Sequence, residues 1–195
     1  FSPGTVEAIG CEPGVAAAAG EMGVSFRWKL EGEEEWRDGD LVARAGYDAQ
    51  RMNLLRLLDG RWPDAPANQL PSERVLGVER LSARYFDVAI GTTILVEFGE
   101  RERRVPVEGI VSAPVVLPPE WGGDAMFFAT PEIAAWVSGA GRGEDFNRLN
   151  VLLGSYSKAG AEEVAGRIED RLERMGLSVE GYEISDPDEH WVQDI

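Results

Sequence analysis

The stretch Glu79 to Ser112, ERLSARYFDVAIGTTILVEFGERERRVPVEGIVS, limits what this chain can fold into more than any other. Leu81 and Tyr85 lie four apart, which predicts a short helix over Glu79–Phe86. Gly91 then marks a tight turn. Thr93–Phe98 reads as a strand, Gly99-Glu100 as a turn, and Arg103–Val111 as a second strand. Val105 and Val107 alternate with polar neighbours there, and Val111 continues the apolar face past a bulge at Gly109. Two strands joined this closely form an antiparallel hairpin, so the middle of the chain is committed to β structure. The stretch holds no nucleophile beside a base and no metal-ligand spacing.

The flanking segments read differently. Ser2 caps a helix starting at Pro3, with Val6 and Ile9 facing inward. Val24, Phe26 and Trp28 alternate with Ser25, Arg27 and Lys29 as a half-buried strand. The acidic tip Glu31–Trp36 is a solvated turn, and Leu41–Tyr47 is the return strand. Asp48 to Gly60 predicts a helix: Met52, Leu55 and Leu58 recur at spacings of three, and Gly60 stands where a helix would stop. The polar, Pro-rich connector DAPANQLPSE (64–73) is the best boundary in the chain. Further on, Ala125–Ala129 is a strand, and Thr130 with Pro131 opens a helix that buries Ile133, Trp136 and Val137. The last third predicts a β-α-β unit. It runs from a strand at Asn147–Leu153 through a helix after Ser157 or Lys158 to a strand at Leu177–Ile184. Val164, Ile168, Leu172 and Met175 form the apolar stripe of that helix.

The fold class expected is α+β and two-lobed. A porter-like βαβ lobe is built from both chain ends, 1–63 and 146–195, and a β-rich lobe, 64–145, is inserted between them.

Charge narrows the function classes. Nineteen Lys and Arg against 35 Asp and Glu give a net charge of −16, which repels phosphate backbones. The local basic run Arg101–Arg104 is interrupted by Glu102, so no nucleic-acid partner is expected. The single cysteine, Cys11, allows no intrachain disulfide. No apolar run reaches the roughly 20 residues of a membrane span, and no signal peptide is visible, because Phe1 is not an initiator and no basic region precedes an apolar one. The chain opens as though cut from something longer.

Catalytic motifs are sparse. No phosphate-binding glycine pattern is present; Ser72 and Ser155 lack a nucleophile-elbow context, and neither GVSF nor GSYS matches G-x-S-x-G. The cluster Asp186-Pro187-Asp188-Glu189-His190 holds the one histidine and could do acid–base work. Its bland reading, an exposed turn-rich tail, is favoured. No catalytic residue, cofactor site or metal site is assigned. Trp121, with Pro118 and Pro119 in the loop PPEWGG, is the candidate contact surface, because a large apolar side chain on a loop suits a partner. Two other readings stay open: a soluble acidic hydrolase using carboxylates with His190, and a stand-alone peptide-binding or protein-binding module gripping at Trp121.

One family shares the order of these features. Gly60-Arg61-Trp62-Pro63, the helix phrase Glu79–Phe86, the turn Val88-Ala89-Ile90-Gly91-Thr92 and the strand Val107-Glu108-Gly109-Ile110-Val111 follow one another. Ala125–Ala134 and Phe146-Asn147-Arg148-Leu149-Asn150-Val151 come after them. This order resembles the extracytoplasmic core domain of MacB-like, FtsX-superfamily ABC transporter permeases over roughly residues 50 to 180. Thr92 stands where the family usually has Asp, and Gln69-Leu70-Pro71 departs from its usual first inserted strand. The resemblance implies a two-lobed domain outside the plasma membrane, on its periplasmic or cell-surface face, with no catalytic residue of its own. Its partners would be the transmembrane helices of its own permease, a cytoplasmic ATPase subunit acting indirectly, and a second permease copy.

Overall fold

The computed structural model describes residues 1–64, 74–114, 116–139 and 146–186. Contacts divide the chain into two units, Phe1–Ala19 with Leu149–Ile195, and Gly20–Arg148.

The larger unit is built on a ring of strands. Its members are β1 (Val15–Leu30, which starts in the smaller unit), β2 (Arg37–Ala43), β4 (Leu76–Glu79), β5 (Thr93–Phe98), β6 (Arg101–Ser112) and β7 (Ala125–Ala129). The pairing order β2-β7-β4-β6-β5-β1 closes because β1 also pairs with β2. The β2–β7 and β4–β6 pairs are parallel, and the other four are antiparallel. Closing the ring leaves its members with few free edges and makes an interior into which every second side chain points. Phe26, Trp28, Leu41, Val78, Ile94, Val105 and Phe127 fill it. Trp28 is completely buried and meets Phe86 and Phe127 edge-on at 5.1 and 5.2 Å. Its indole N–H is satisfied by the Asp38 carbonyl at 3.2 Å.

The predicted hairpin forms as β5 and β6, paired from Thr93–Pro106 to Phe98–Arg101. The bulge expected at Gly109 is present: relative to β4, the register of β6 skips Glu108 between Val107 and Gly109. The helix expected before it is α2 (Arg80–Tyr85), but it turns a different face inward. Ser82 and Ala83 are buried while Tyr85 is exposed. Glu79 is buried and caps α2, its carboxylate accepting from the backbone N–H groups of Leu81 and Ser82. Thr130 caps α3 (Pro131–Ser138) as expected, accepting from Ile133 N at 3.4 Å.

The helix expected over Asp48–Gly60 does not form. Tyr47–Ala49 makes one 3₁₀ turn, and Arg56–Gly60 is a strand, β3, on the edge of β6. Leu55 is buried and Leu57 half-buried, whereas Leu54 and Leu58 are exposed, which is a period of two. The backbone groups between the two elements are met by one side chain. The Gln50 amide donates to the Tyr47 and Leu55 carbonyls at 2.6 and 3.2 Å and accepts from Leu55 N at 2.8 Å. With those groups satisfied and β6 offering a ladder, the helical spacing of the leucines is overridden. The segment covers the outside of the ring, where Tyr47 stacks on Trp62 at 5.0 Å and packs with Val42, Val111 and Phe128. Gly60 and Gly109 make the close approach feasible. A Cβ on Gly60 would fall 2.1 Å from the Glu108 carbonyl oxygen, and one on Gly109 2.4 Å from that of Arg61.

The smaller unit contains α1 (Pro3–Gly10), the first residues of β1, β8 (Arg148–Leu153, from Leu149 on) and α4 (Lys158–Arg174). Ile9, Val164, Ile168 and Leu172 form its core, with half-buried Val15, Leu149, Val151 and Val179 around them. Ser157 caps α4, and Arg171 near its end pairs with Glu12. Two expectations fail here. Met175 is exposed rather than part of the stripe. Leu177–Ile184 forms no strand; Leu177 and Val179 pack on the core, but their backbone joins no ladder. Alternation satisfies a side-chain face, but a strand also needs a free neighbouring edge in register.

The contact division also differs from the expected boundary at residue 63. Residues 20–63 group with the mid-chain strands, because β1 and β2 belong to the ring and β3 lies on β6. Residues 65–73, which hold most of the predicted connector, lie outside the described residues.

Candidate functional site

The loop between β6 and β7 folds tightly before it presents anything. Trp121 N and Gly123 N both donate to the Pro118 carbonyl, at 2.9 and 3.2 Å, and Gly122 N donates to that of Pro119 at 3.0 Å. Pro119–Trp121 is therefore a 3₁₀ turn, for which proline at the first position is preset. A side chain at Gly123 would strike the Leu117 carbonyl oxygen at 2.2 Å, so glycine is required for this closure.

Within that frame the three predicted residues separate. Trp121 is 66% exposed and Pro118 half-buried. Pro119 is buried and does not belong to the contact surface; it anchors the turn. Helix α2 packs against the turn, and Arg84 of α2 holds Glu120 at 3.2 Å. Its own backbone N–H, and then Arg84, hold the Glu120 carboxyl below the usual range. Two further large apolar side chains are exposed on these elements: Leu117 in the loop and Tyr85 beside Arg84, 51% and 52% exposed. Tyr85 went unforeseen because its spacing from Leu81 suggested a buried face. Beneath the patch, the Ser82 hydroxyl accepts from Met126 N at 3.1 Å and fixes α2 to β7. The result is an apolar, aromatic surface on a rigid support, suited to contact and carrying no reactive group.

A second concavity of about 500 Å³ lies between Ser25–Arg27, Asp38–Gly39, Glu97–Gly99 and Asp124. It is open, and its charged lining is three carboxylates, Asp38, Glu97 and Asp124, against the one guanidinium of Arg27. Arg27 pairs with Glu97 at 3.1 Å, and the Ser25 hydroxyl donates to Asp40 at 2.7 Å. Partial burial, and then Asp40 and Asp38, push the Asp124 carboxyl up. Among the described residues no group of three or more His, Cys, Asp or Glu is arranged to hold a metal. His190, on which the hydrolase reading depended, lies outside the described residues. Among the described residues no helix is long and apolar enough to cross a membrane.

The fold is similar to those of extracellular and periplasmic domains of ABC transporter proteins. The extracellular domain of the noncanonic ABC-type transporter YknZ from Gram-positive bacteria matches with a TM-score of 0.58 and 13% identity, over 91% of this chain and 86% of that one. The periplasmic region of MacB from Actinobacillus actinomycetemcomitans matches with a TM-score of 0.57 and 12% identity, over 91% and 76%. A domain of a putative permease from Porphyromonas gingivalis matches with a TM-score of 0.51 and 19% identity, over 87% and 76%. No family model and no curated protein matches the chain.

Proposed function

We propose that this chain is the extracytoplasmic domain of an ABC transporter permease, a non-enzymatic part moved from the membrane side. The observation that carries this is a fold held in common over nine-tenths of the chain with the extracellular domain of YknZ and the periplasmic region of MacB. In this reading, the unit of residues 1–19 and 149–195 connects to transmembrane helices of the same permease. It moves when a cytoplasmic ATPase subunit hydrolyses ATP. The ring unit receives that motion as a rigid scaffold and meets a substrate or protein partner through Trp121, Leu117 and Pro118. A second permease copy completes the transporter.

Cys11 gives a direct test, being exposed and the only cysteine in the chain. In cells expressing the full-length protein, a membrane-impermeant maleimide should label this domain without permeabilisation, and Cys11→Ser should remove the part of the label carried by Cys11. Labelling only after the membrane is opened would sink the extracytoplasmic placement. Trp121→Ala tests the contact surface separately: partner capture or transport should drop while folding is unchanged.

A further inference from the structure

The charge pattern of the ring unit has one anomaly. The chain carries a net charge of −16. Its arginines with close neighbours usually sit on carboxylates, as Arg44 does on Glu21 at 2.6 Å and Arg84 on Glu120 at 3.2 Å. Around Trp136 the pattern reverses. The guanidinium of Arg74 lies over the Trp136 ring at 4.5 Å, and that of Arg103 lies over the same ring at 5.1 Å. Arg101 reaches the C-terminal end of α3 beside them and donates to the Ser138 carbonyl at 3.4 Å. Among the described residues none of these three arginines makes an ion pair with a carboxylate.

Their placement follows from the strand. Before the bulge at Gly109, the odd-numbered residues of β6 face the ring interior, where Val105 and Val107 are completely buried. Arg101 and Arg103 continue that inward row towards the end of the strand, where the apolar filling stops. Arg103 is half-buried there, and its Nε–H is shut off from solvent with no hydrogen-bond partner among the described residues. Gly139 is what lets Arg101 in: a Cβ at that position would overlap its guanidinium. Arg101 offsets the negative carbonyl end of α3. Arg74 and Arg103 remain as two like charges on one indole, with a buried donor unspent. A ring quadrupole attracts each cation singly but does not remove their mutual repulsion or satisfy the Nε–H.

We propose that Arg74 and Arg103, both lying over Trp136, form a binding site for an oxyanion, a carboxylate or phosphate group carried by a ligand. A planar guanidinium offers such a group two parallel N–H bonds, and a half-buried position strengthens them. The bound anion would pair with the terminal guanidinium N–H groups and screen Arg103 from Arg74. The site is separate from the Trp121 surface and does not depend on the transporter reading.

The test uses the purified chain in low-salt buffer and follows arginine Nε–H resonances by NMR. Inorganic phosphate is titrated in one series and N-acetyl-triglutamate in another. The expected result is a saturable shift of the Arg103 Nε–H with at least one probe, weakened by added salt. Saturation by phosphate alone assigns a phosphate ligand, and saturation by the peptide alone assigns a carboxylate ligand. Arg103→Met should weaken binding about tenfold, the equivalent of one charge-assisted hydrogen bond. Arg74→Met, at an exposed position where folding is not at stake, should weaken it several-fold. No saturable shift with either probe, or equal binding by both variants and the parent, would overturn the proposal.

Discussion

The two units bury their apolar residues in different ways. In the ring unit, strands pair around a closed circuit and the core residues Trp28, Ile94, Val105 and Phe127 are completely buried. In the smaller unit Ile9 is completely buried, but Val164, Ile168 and Leu172 retain 8 to 9% exposure and the residues around this cluster are half-buried. Closure is the cause. A ring gives each inward side chain neighbours on both flanks and from across the interior. A helix laid over two strand segments leaves its stripe partly open. The ring is a rigid scaffold by construction, while the smaller unit rests on one helix face and a few caps. Local opening should begin in the smaller unit.

The sharpest way to break this contrast is Trp28→Ala. Removing a completely buried indole should cost about 3–5 kcal/mol, read as a fall in the urea midpoint and loss of near-ultraviolet dichroism from the ring. Ile168→Ala should cost about 2 kcal/mol, at the low end for such a change because its neighbours can collapse onto the space. Hydrogen exchange should then speed up in α4 while β5 and β6 stay protected. Equal acceleration in both units would show that they open together. Gln50→Ala should cost roughly 1–3 kcal/mol, because it strands the Leu55 N–H and two carbonyls. The loss should appear as faster exchange in β3, with the Trp28 signal unchanged.

The smallest effect concerns charge. Burial and the neighbouring aspartates raise the Asp124 carboxyl above its ordinary value of 3.8. The native state therefore binds the proton more tightly than the unfolded chain does, and the ionised group disfavours the fold at neutral pH. Asp124→Asn should be stabilising by at most roughly 0.5 kcal/mol, the usual range for a surface site. The gain should be complete at neutral pH and fade as pH falls through the raised value towards 3.8. A gain that does not change with pH would mean that packing, not charge, is responsible.

Much of this was legible residue by residue. The hairpin of β5 and β6, strand β7 and helices α1, α3 and α4 follow from alternation, helical spacing and the caps Ser2, Thr130 and Ser157. The family likeness came from the order of short phrases, each of them weak alone. At the candidate contact surface, the exposure of Trp121 was readable from an apolar group on a proline-shaped loop. The burial of Pro119 was not, because which prolines of a turn face inward depends on what lies beneath. The arginine cluster was not readable either: Arg101 and Arg103 stood in a charged run, and nothing local joins them to Arg74 or Trp136. Strand β4 escaped because all four residues from Leu76 to Glu79 are buried, so no alternation marks them.

The sequence alone determined what depends on neighbours a few residues apart: periodicity, caps, turns and net charge. The tertiary structure alone decided which strand edge meets which. It turned the leucines of Arg56–Gly60 from a helix into β3 and left Leu177–Ile184 without a ladder. It also moved the unit boundary from the proline-rich connector to residues 19–20 and 148–149. The physical reason is common to all three. A strand is stable only against a partner whose hydrogen-bonding groups are free, and that partner is distant in the chain, so its availability is settled only when the ring closes.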